Sequence, residues 1–510
     1  MNHIAIAPLL LPLFTGICLL LLREQRIYVK RIIAGISNIA LIVIAIELLL
    51  QVADGTILVY ALSDWAAPYG ITLVADRLAG WMVLTTSMLS IFALIYAMHG
   101  VDREGRHFHI MFQLQLFGLN GAFLTGDLFN LFVFFEVLLL ASYSLLLHGG
   151  GRKRIRSGLH FVVINVVGSS LFLFAVGTLY GVLGTLNMAD LAVKVAATPP
   201  ENLVLVHSAG MLLFAVFALK AALLPFYLWL PSAYSQTSAP AAALFAIMTK
   251  VGAYSILRVY TLIFGDHAGP LANLLDGWLL PMALLTIAIG TFGLLGSKRL
   301  RQQVAYLVVI SAGTLLTCFS LNSEAGIAAG LYYLPHTTFA TAALFLLADL
   351  IVKRRGLMED RLDAGYVITQ QKFLGAIFFT LAILAAGLPP LSGFLGKFML
   401  LQAALDHPAV VFIMTIVLLN GLLTVIGLAR SGSLMFYEAH AVDKSTNTYN
   451  KQELPEPLNV RELLPIFALL GLCLAMTLWA GTLTKFTAET AAQLLDTKSY
   501  IEAVLGKGAP

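Results

Sequence analysis

Five residues stand where their chemistry is costly. Glu136, Lys220, Lys250, His336 and Lys397 each fall within a long apolar stretch or beside a break in one. An ionisable side chain kept in hydrocarbon costs roughly 2.5–3.5 kcal/mol on insertion scales. Residues retained at such positions usually face a protein or water-filled interior. Glu136 ends the run Asp127-Leu-Phe-Asn-Leu-Phe-Val-Phe-Phe-Glu136, where a bare carboxylate takes up a proton or seeks a cation. Lys220 precedes Pro225, which removes a helical hydrogen bond and frees nearby carbonyls toward a cavity or water. Lys250 sits in Met248-Thr-Lys250-Val-Gly, His336 follows Pro335, and Lys397 follows Pro389-Pro390. For any one of them the ordinary explanation is a structural ion pair or a lysine snorkelling to the interface. Central position argues against snorkelling, and three lysines face one glutamate. At least one lysine therefore lacks an acidic partner in this set, and an amine that is neutral part of the time is a proton carrier. For His336, the adjacent proline with Thr337 and Thr338 predicts a broken, hydrated helix. The chemistry indicated is proton transfer along buried titratable groups.

The elements that hold these residues must be membrane helices. Of 510 residues, 59% are hydrophobic and 11% charged, against about a quarter charged in soluble domains. With spans of about 20 apolar residues, the sequence predicts an all-α, polytopic membrane protein with fourteen transmembrane helices. They lie near 4–22, 32–52, 70–98, 108–126, 128–147, 160–183, 205–230, 240–263, 276–296, 302–322, 325–350, 373–404, 409–436 and 461–484. Met1–Leu22 has no basic n-region and no small-residue cleavage site, so it reads as a retained span rather than a signal peptide.

Lys and Arg collect in cytoplasmic loops. Here they fall in alternate connections, from Arg23–Arg31 through Arg103, Arg152–Arg156, Lys298–Arg301 and Lys353–Lys372 to Lys444, Lys451 and Arg461. That alternation places both termini outside the cytoplasm. The tail after about 486 is expected as an amphipathic piece on the outer surface. Cys18, Cys318 and Cys473 sit in apolar runs without CxxC spacing and read as small buried hydrophobes. No metal-ligand set, cofactor motif or nucleic-acid patch is visible. Structural roles suffice for Glu47, for Asp76 and Arg77 as a local pair, for Asp127 as a helix cap, and for Asp349 beside Lys353.

Breaks at Pro225 in the seventh span and Pro389-Pro390 in the twelfth are five helices apart, and an odd offset inverts the second unit. Paired broken helices in inverted halves indicate a transporter with its pathway at the midplane.

The segments Asp127–Glu136, Leu219-Lys220-Ala-Ala-Leu-Leu-Pro-Phe-Tyr-Leu-Trp-Leu-Pro231 and Thr249-Lys250-Val-Gly-Ala-Tyr resemble the antiporter-like proton-translocating subunits. That superfamily includes the large membrane subunits of respiratory complex I and of Mrp multisubunit cation/proton antiporters. Within it the chain is most similar to the D-type Mrp subunits. Tyr234 stands where complex I relatives typically carry histidine, and neither a lateral helix nor the extra domain of the A-type Mrp protein follows the fourteenth span. The resemblance implies two inverted five-helix repeats with discontinuous helices 7 and 12. It divides the chain into 1–107 (helices 1–3), 108–263 (helices 4–8), 276–436 (helices 9–13) and 437–510 (loop, helix 14 and tail). Many relatives carry a lysine shortly after the His336 equivalent. Here Thr337-Thr-Phe-Ala-Thr341 occupies that region, so the relay would run through His336, water and hydroxyls.

The function implied is that of a component of a secondary transporter rather than an enzyme: electrogenic antiport of Na+ or another monovalent cation against protons. Glu136 and Lys220 would form a charge pair, with Lys250, His336 and Lys397 continuing a hydrated axis and Lys397 at its exit. Partners would be the A-, B-, C-, E-, F- and G-type Mrp subunits and lipid, in a bacterial plasma membrane. No cofactor is implied. A redox-driven pump module of a complex I-type oxidoreductase or membrane-bound hydrogenase is the alternative, and an inert scaffold is a third reading.

Overall fold

A computed structural model describes residues 3–364, 370–438 and 459–506. The expected polar loop near 438–460, with Lys444 and Lys451, falls almost entirely outside them. The described chain is helical apart from one hairpin. Its helices are α1 (Ala7–Leu21), α2 (Ile27–Val52), α3 (Arg77–Ala97), α4 (Phe108–Leu124), α5 (Leu128–Leu147), α6 (Arg152–Leu183) and α7 (Met188–Ala196). There follow α8 (Leu203–Lys220), α9 (Trp229–Gln236), α10 (Ala239–Phe245), α11 (Met248–Leu262), α12 (Leu279–Gly296), α13 (Leu300–Ser320) and α14 (Glu324–Arg355). The last six are α15 (Gln371–Ala386), α16 (Ser392–Ala403), α17 (Val410–Phe436), α18 (Val460–Leu478), α19 (Ala480–Leu495) and α20 (Thr497–Leu505).

Among the described residues, eleven helices are long and apolar enough to cross a membrane, and α1 and α15 are shorter apolar helices. The chain is a polytopic membrane protein. Helices α2 and α17 bury only a third or less of their most apolar stretch, whereas α13 and α14 are almost wholly enclosed. Lys250 and His336 sit on enclosed helices, whereas Glu136 and Lys220 sit on helices that are half buried.

Two expectations change here. The third span does not begin at residue 70: Thr72–Ala75 is strand β2, antiparallel to β1 (Leu58–Ala61), with Leu58 opposite Ala75. Asp76 then caps α3, accepting from the Ala79 amide at 2.9 Å. Nor do Asp76 and Arg77 pair. Asp76 binds Arg258 at 2.7 Å, and Arg77 binds Glu489 at 3.0 Å and the Ala53 carbonyl at 2.7 Å. Asp127 does cap α5, accepting from the Asn130 amide at 2.8 Å, and Asp349 does pair with Lys353 at 3.1 Å.

The connections meet at two ends of the bundle. At one end Arg31 pairs with Asp102 at 2.7 Å, Arg154 with Glu104 at 3.4 Å, and Arg154 reaches the Gln236 carbonyl at 3.2 Å. A cavity of about 540 Å³ at this end is lined by Glu104, Arg154, Gln236, Arg299 and Asp360. At the other end Leu73 bridges Thr125, Asp127 bridges Asn187, and Arg258 binds Asp76. The C-terminal helices α19 and α20 pack into that second end, α20 against α7 and β1. Cys318 and Cys473 are buried as expected, but Cys18 on α1 is exposed.

Candidate proton path

Helix α6 organises the first part of the site. Asn165 and Ser169 are one turn apart and share a face of this helix. Ser169 donates to Glu136 of α5. Asn165 accepts from Lys220 at the end of α8, at 3.1 Å through its side chain and 3.5 Å through its carbonyl. The Lys220 ammonium also lies 5.9 Å from the centre of the Phe135 ring. Glu136 and Lys220 thus share neighbours, but no carboxylate of the described residues is within 4.0 Å of Lys220.

The chain breaks after Lys220 as Pro225 requires, but the freed groups find protein partners rather than a cavity. The Leu219 carbonyl accepts from the Trp229 indole at 3.1 Å, and the Leu224 amide donates to Thr286 of α12 at 2.9 Å. Between α10 and α11 a second interruption places Lys250 in the first turn of α11. Lys250 is wholly buried and donates to Ser311 of α13 at 3.0 Å. Tyr234 donates to the Phe245 carbonyl at 2.9 Å and packs on Trp229 and Phe345.

The expectation of a broken helix at His336 fails. Helix α14 runs through Pro335, and the Leu331 carbonyl that loses its partner to the proline accepts from the Trp81 indole at 3.0 Å. His336 meets the second broken span instead. Its Nδ1 is 2.9 Å from the Ser392 hydroxyl at the start of α16. Gly393 is required beside it, because a Cβ there would come within 2.7 Å of His336 Nε2. Lys397, one turn further along α16, donates to the Ala386 carbonyl left open at the end of α15, at 2.9 Å. A small cavity of about 10 Å³ is lined by His336, Lys397, Tyr333, Thr337, Thr341 and Asn420. That is room for about one water. The structure therefore brings His336 and Lys397 to one cavity, Glu136 and Lys220 to one face of α6, and Lys250 to α13 between them.

Comparison with known proteins gives this arrangement a family. The NADH:quinone oxidoreductase/Mrp antiporter transmembrane family matches residues 125–424, which contain all five residues. The chain belongs to this family. The D component of a probable K(+)/H(+) antiporter of Rhizobium meliloti is 38% identical over 99% of this chain and 98% of its own. Its counterpart in the Na(+)/H(+) antiporter of Alkalihalophilus pseudofirmus is 36% identical over 99% of this chain and all of its own. Among solved structures, a chain of the Mrp complex from Dietzia superposes with a TM-score of 0.88 at 27% identity, covering 99% of this chain and all of that one. These relatives are antiporter components, and transporters rather than enzymes.

For this family member, sequence reasoning missed the neutral partners: Asn165, Ser169, Ser311, Ser392 and the indoles of Trp81 and Trp229. Asn165 and Ser169 carried a legible signal, two polar residues at helical spacing in an apolar span. Ser311 and Ser392 carried none, since a lone serine in a membrane helix is usually bonded to its own backbone.

Proposed function

We propose that this chain is the proton-carrying D-type component of a multisubunit monovalent cation/proton antiporter, driven by the proton gradient. Lys250 is the observation that carries the reading. It is fully buried, lacks a carboxylate within 4.0 Å among the described residues, and is held by one hydroxyl. A structural ion pair does not account for such an amine, whereas a proton carrier needs one.

Glu136 and Lys220 set the charge that Lys250 feels. Approach of Glu136 to Lys220 stabilises the charged lysine and relieves Lys250; separation does the opposite. Lys250, His336, water and Lys397 continue the path, with Thr341 and neighbouring hydroxyls standing in for the relatives' lysine. In this reading fourteen helices span the membrane, with 108–263 and 276–436 as inverted five-helix repeats. Residues 1–107 lie before them, and 437–510 form a loop, the last span and a tail. Support comes from the two breaks beside Lys220 and Lys397, and from alternate connections meeting at opposite ends. The arginine-rich end faces the cytoplasm of a bacterium, and both termini lie outside. The A-, B-, C-, E-, F- and G-type subunits complete the complex.

Lys220→Ala tests the proposal in everted vesicles carrying the whole complex. Cation-dependent proton flux should vanish while the subunits still co-purify. Normal flux from the assembled variant would overturn it.

A further inference from the structure

Helix α11 carries polar groups that the path above leaves unused. Lys250, Tyr254 and Arg258 are spaced four residues apart, so they stack along one face over roughly 12 Å. Arg258 meets Asp76 in a two-point ion pair, Nη1 to Oδ2 and Nη2 to Oδ1, both 2.7 Å. Both side chains are buried. The Tyr254 ring lies 5.7 Å from the guanidinium on one side, and the Tyr500 ring of α20 lies 5.4 Å away on another. Gly126 lies beside this cover: a Cβ there would meet Val74 and Thr72 of β2 at 2.8 and 3.0 Å and the Tyr500 hydroxyl at 3.3 Å.

A buried ion pair is a poor way to gain stability, because apolar residues of the same volume often do as well or better. This one stands at the second end of the bundle, in line with Lys250. We infer that the Asp76–Arg258 pair, covered by Tyr500, is the closed outer end of a proton inlet to Lys250, separate from the exit at Lys397. This rests on the proposed role of Lys250 as a proton carrier. While the pair is closed, the guanidinium repels an approaching proton and occupies the Asp76 carboxylate. Parting the two frees Asp76 to take up a proton from outside and pass it inward to Lys250. Tyr500 opposes that parting through its ring contact with the guanidinium.

The test uses the assembled complex in proteoliposomes, with an imposed pH gradient and no transported cation. Tyr500→Ala leaves the ion pair and Lys250 intact and removes only the cover. Passive proton leak should rise about fivefold, equivalent to ~1 kcal/mol, the worth of one partly desolvated cation–π contact. Tyr500→Phe keeps the ring and should not leak. Adding Lys250→Ala should abolish the leak of Tyr500→Ala. No leak in the assembled Tyr500→Ala complex, or one that survives Lys250→Ala, would overturn the inference. The proposed function fails separately, if Lys250→Ala alone retains cation-driven proton flux.

Discussion

Lys220 donates to Asn165 at 3.1 Å rather than to Glu136. One turn along the same helix, Ser169 donates to Glu136. The two charges hang on neighbouring rungs of α6, so this helix controls how far apart they stand.

Asn165→Ala should therefore uncouple the pair without removing either charge. A hydrogen bond to a charged group is worth roughly 1.5–3 kcal/mol, which converts to a fall in proton flux of about ten- to a hundredfold. Cation-dependent pH changes in everted vesicles, normalised to assembled complex, measure it. Unchanged flux would remove Asn165 from the mechanism.

Ser311 is the acceptor that Lys250 uses, at 3.0 Å. Ser311→Ala should slow transport severalfold, while Ser311→Thr, which keeps the hydroxyl, should retain most of it. Equal losses in both variants would point to packing of α13 instead.

The cavity beside His336 and Lys397 holds about one water, and Thr341 lines it. Thr341→Val preserves volume and removes the hydroxyl. Its flux should drop severalfold, with stability changed by no more than about 1.5 kcal/mol, the net value of one hydrogen bond. Paired flux and thermal-unfolding measurements would separate the two effects.

Asp102 offers a pH test outside the membrane spans. Burial alone would raise its carboxyl, but hydrogen bonds from His109 and Arg31 and their charges outweigh burial and hold it at about 2. A depressed value stabilises the folded state above the ordinary carboxylate range, and that contribution disappears as pH falls through about 2. It amounts to at most about 2.5 kcal/mol, reduced by solvent near the end of the bundle. Asp102→Asn should lower the unfolding temperature in detergent at neutral pH. The gap from the unsubstituted protein should narrow between about pH 4 and pH 2. A gap independent of pH would contradict this role for the carboxylate.

The helices were legible because hydrocarbon imposes one rule on every span: about 20 apolar residues with charges at the ends. Each of the fourteen expected spans contains helix, and Asp127 caps α5 as its type predicts. The five ionisable residues were legible for the complementary reason, as exceptions to that rule. What escaped notice was tertiary. The hairpin before α3 looked like a longer span because Thr72–Ala75 is as apolar as the helix it precedes. The break expected at Pro335 was cancelled by Trp81, about 250 residues away in sequence. Asp76 and Arg77 looked like a pair because they are adjacent, but successive residues point to different neighbours, Arg258 and Glu489.

The end of the bundle that holds Asp76 and Arg258 joins opposite ends of the polypeptide. Gln493 accepts from the Arg77 amide at 3.2 Å and donates to the Gly55 carbonyl at 2.8 Å, while Tyr500 lies against Arg258. A chain emerging N-terminus first from the ribosome inserts Lys250 long before it makes Tyr500. The nascent bundle therefore holds Arg258 without its Tyr500 cover until synthesis is nearly finished. A chain ending ahead of residue 493 would lack both the Gln493 contacts to Arg77 and Gly55 and the Tyr500 ring against Arg258.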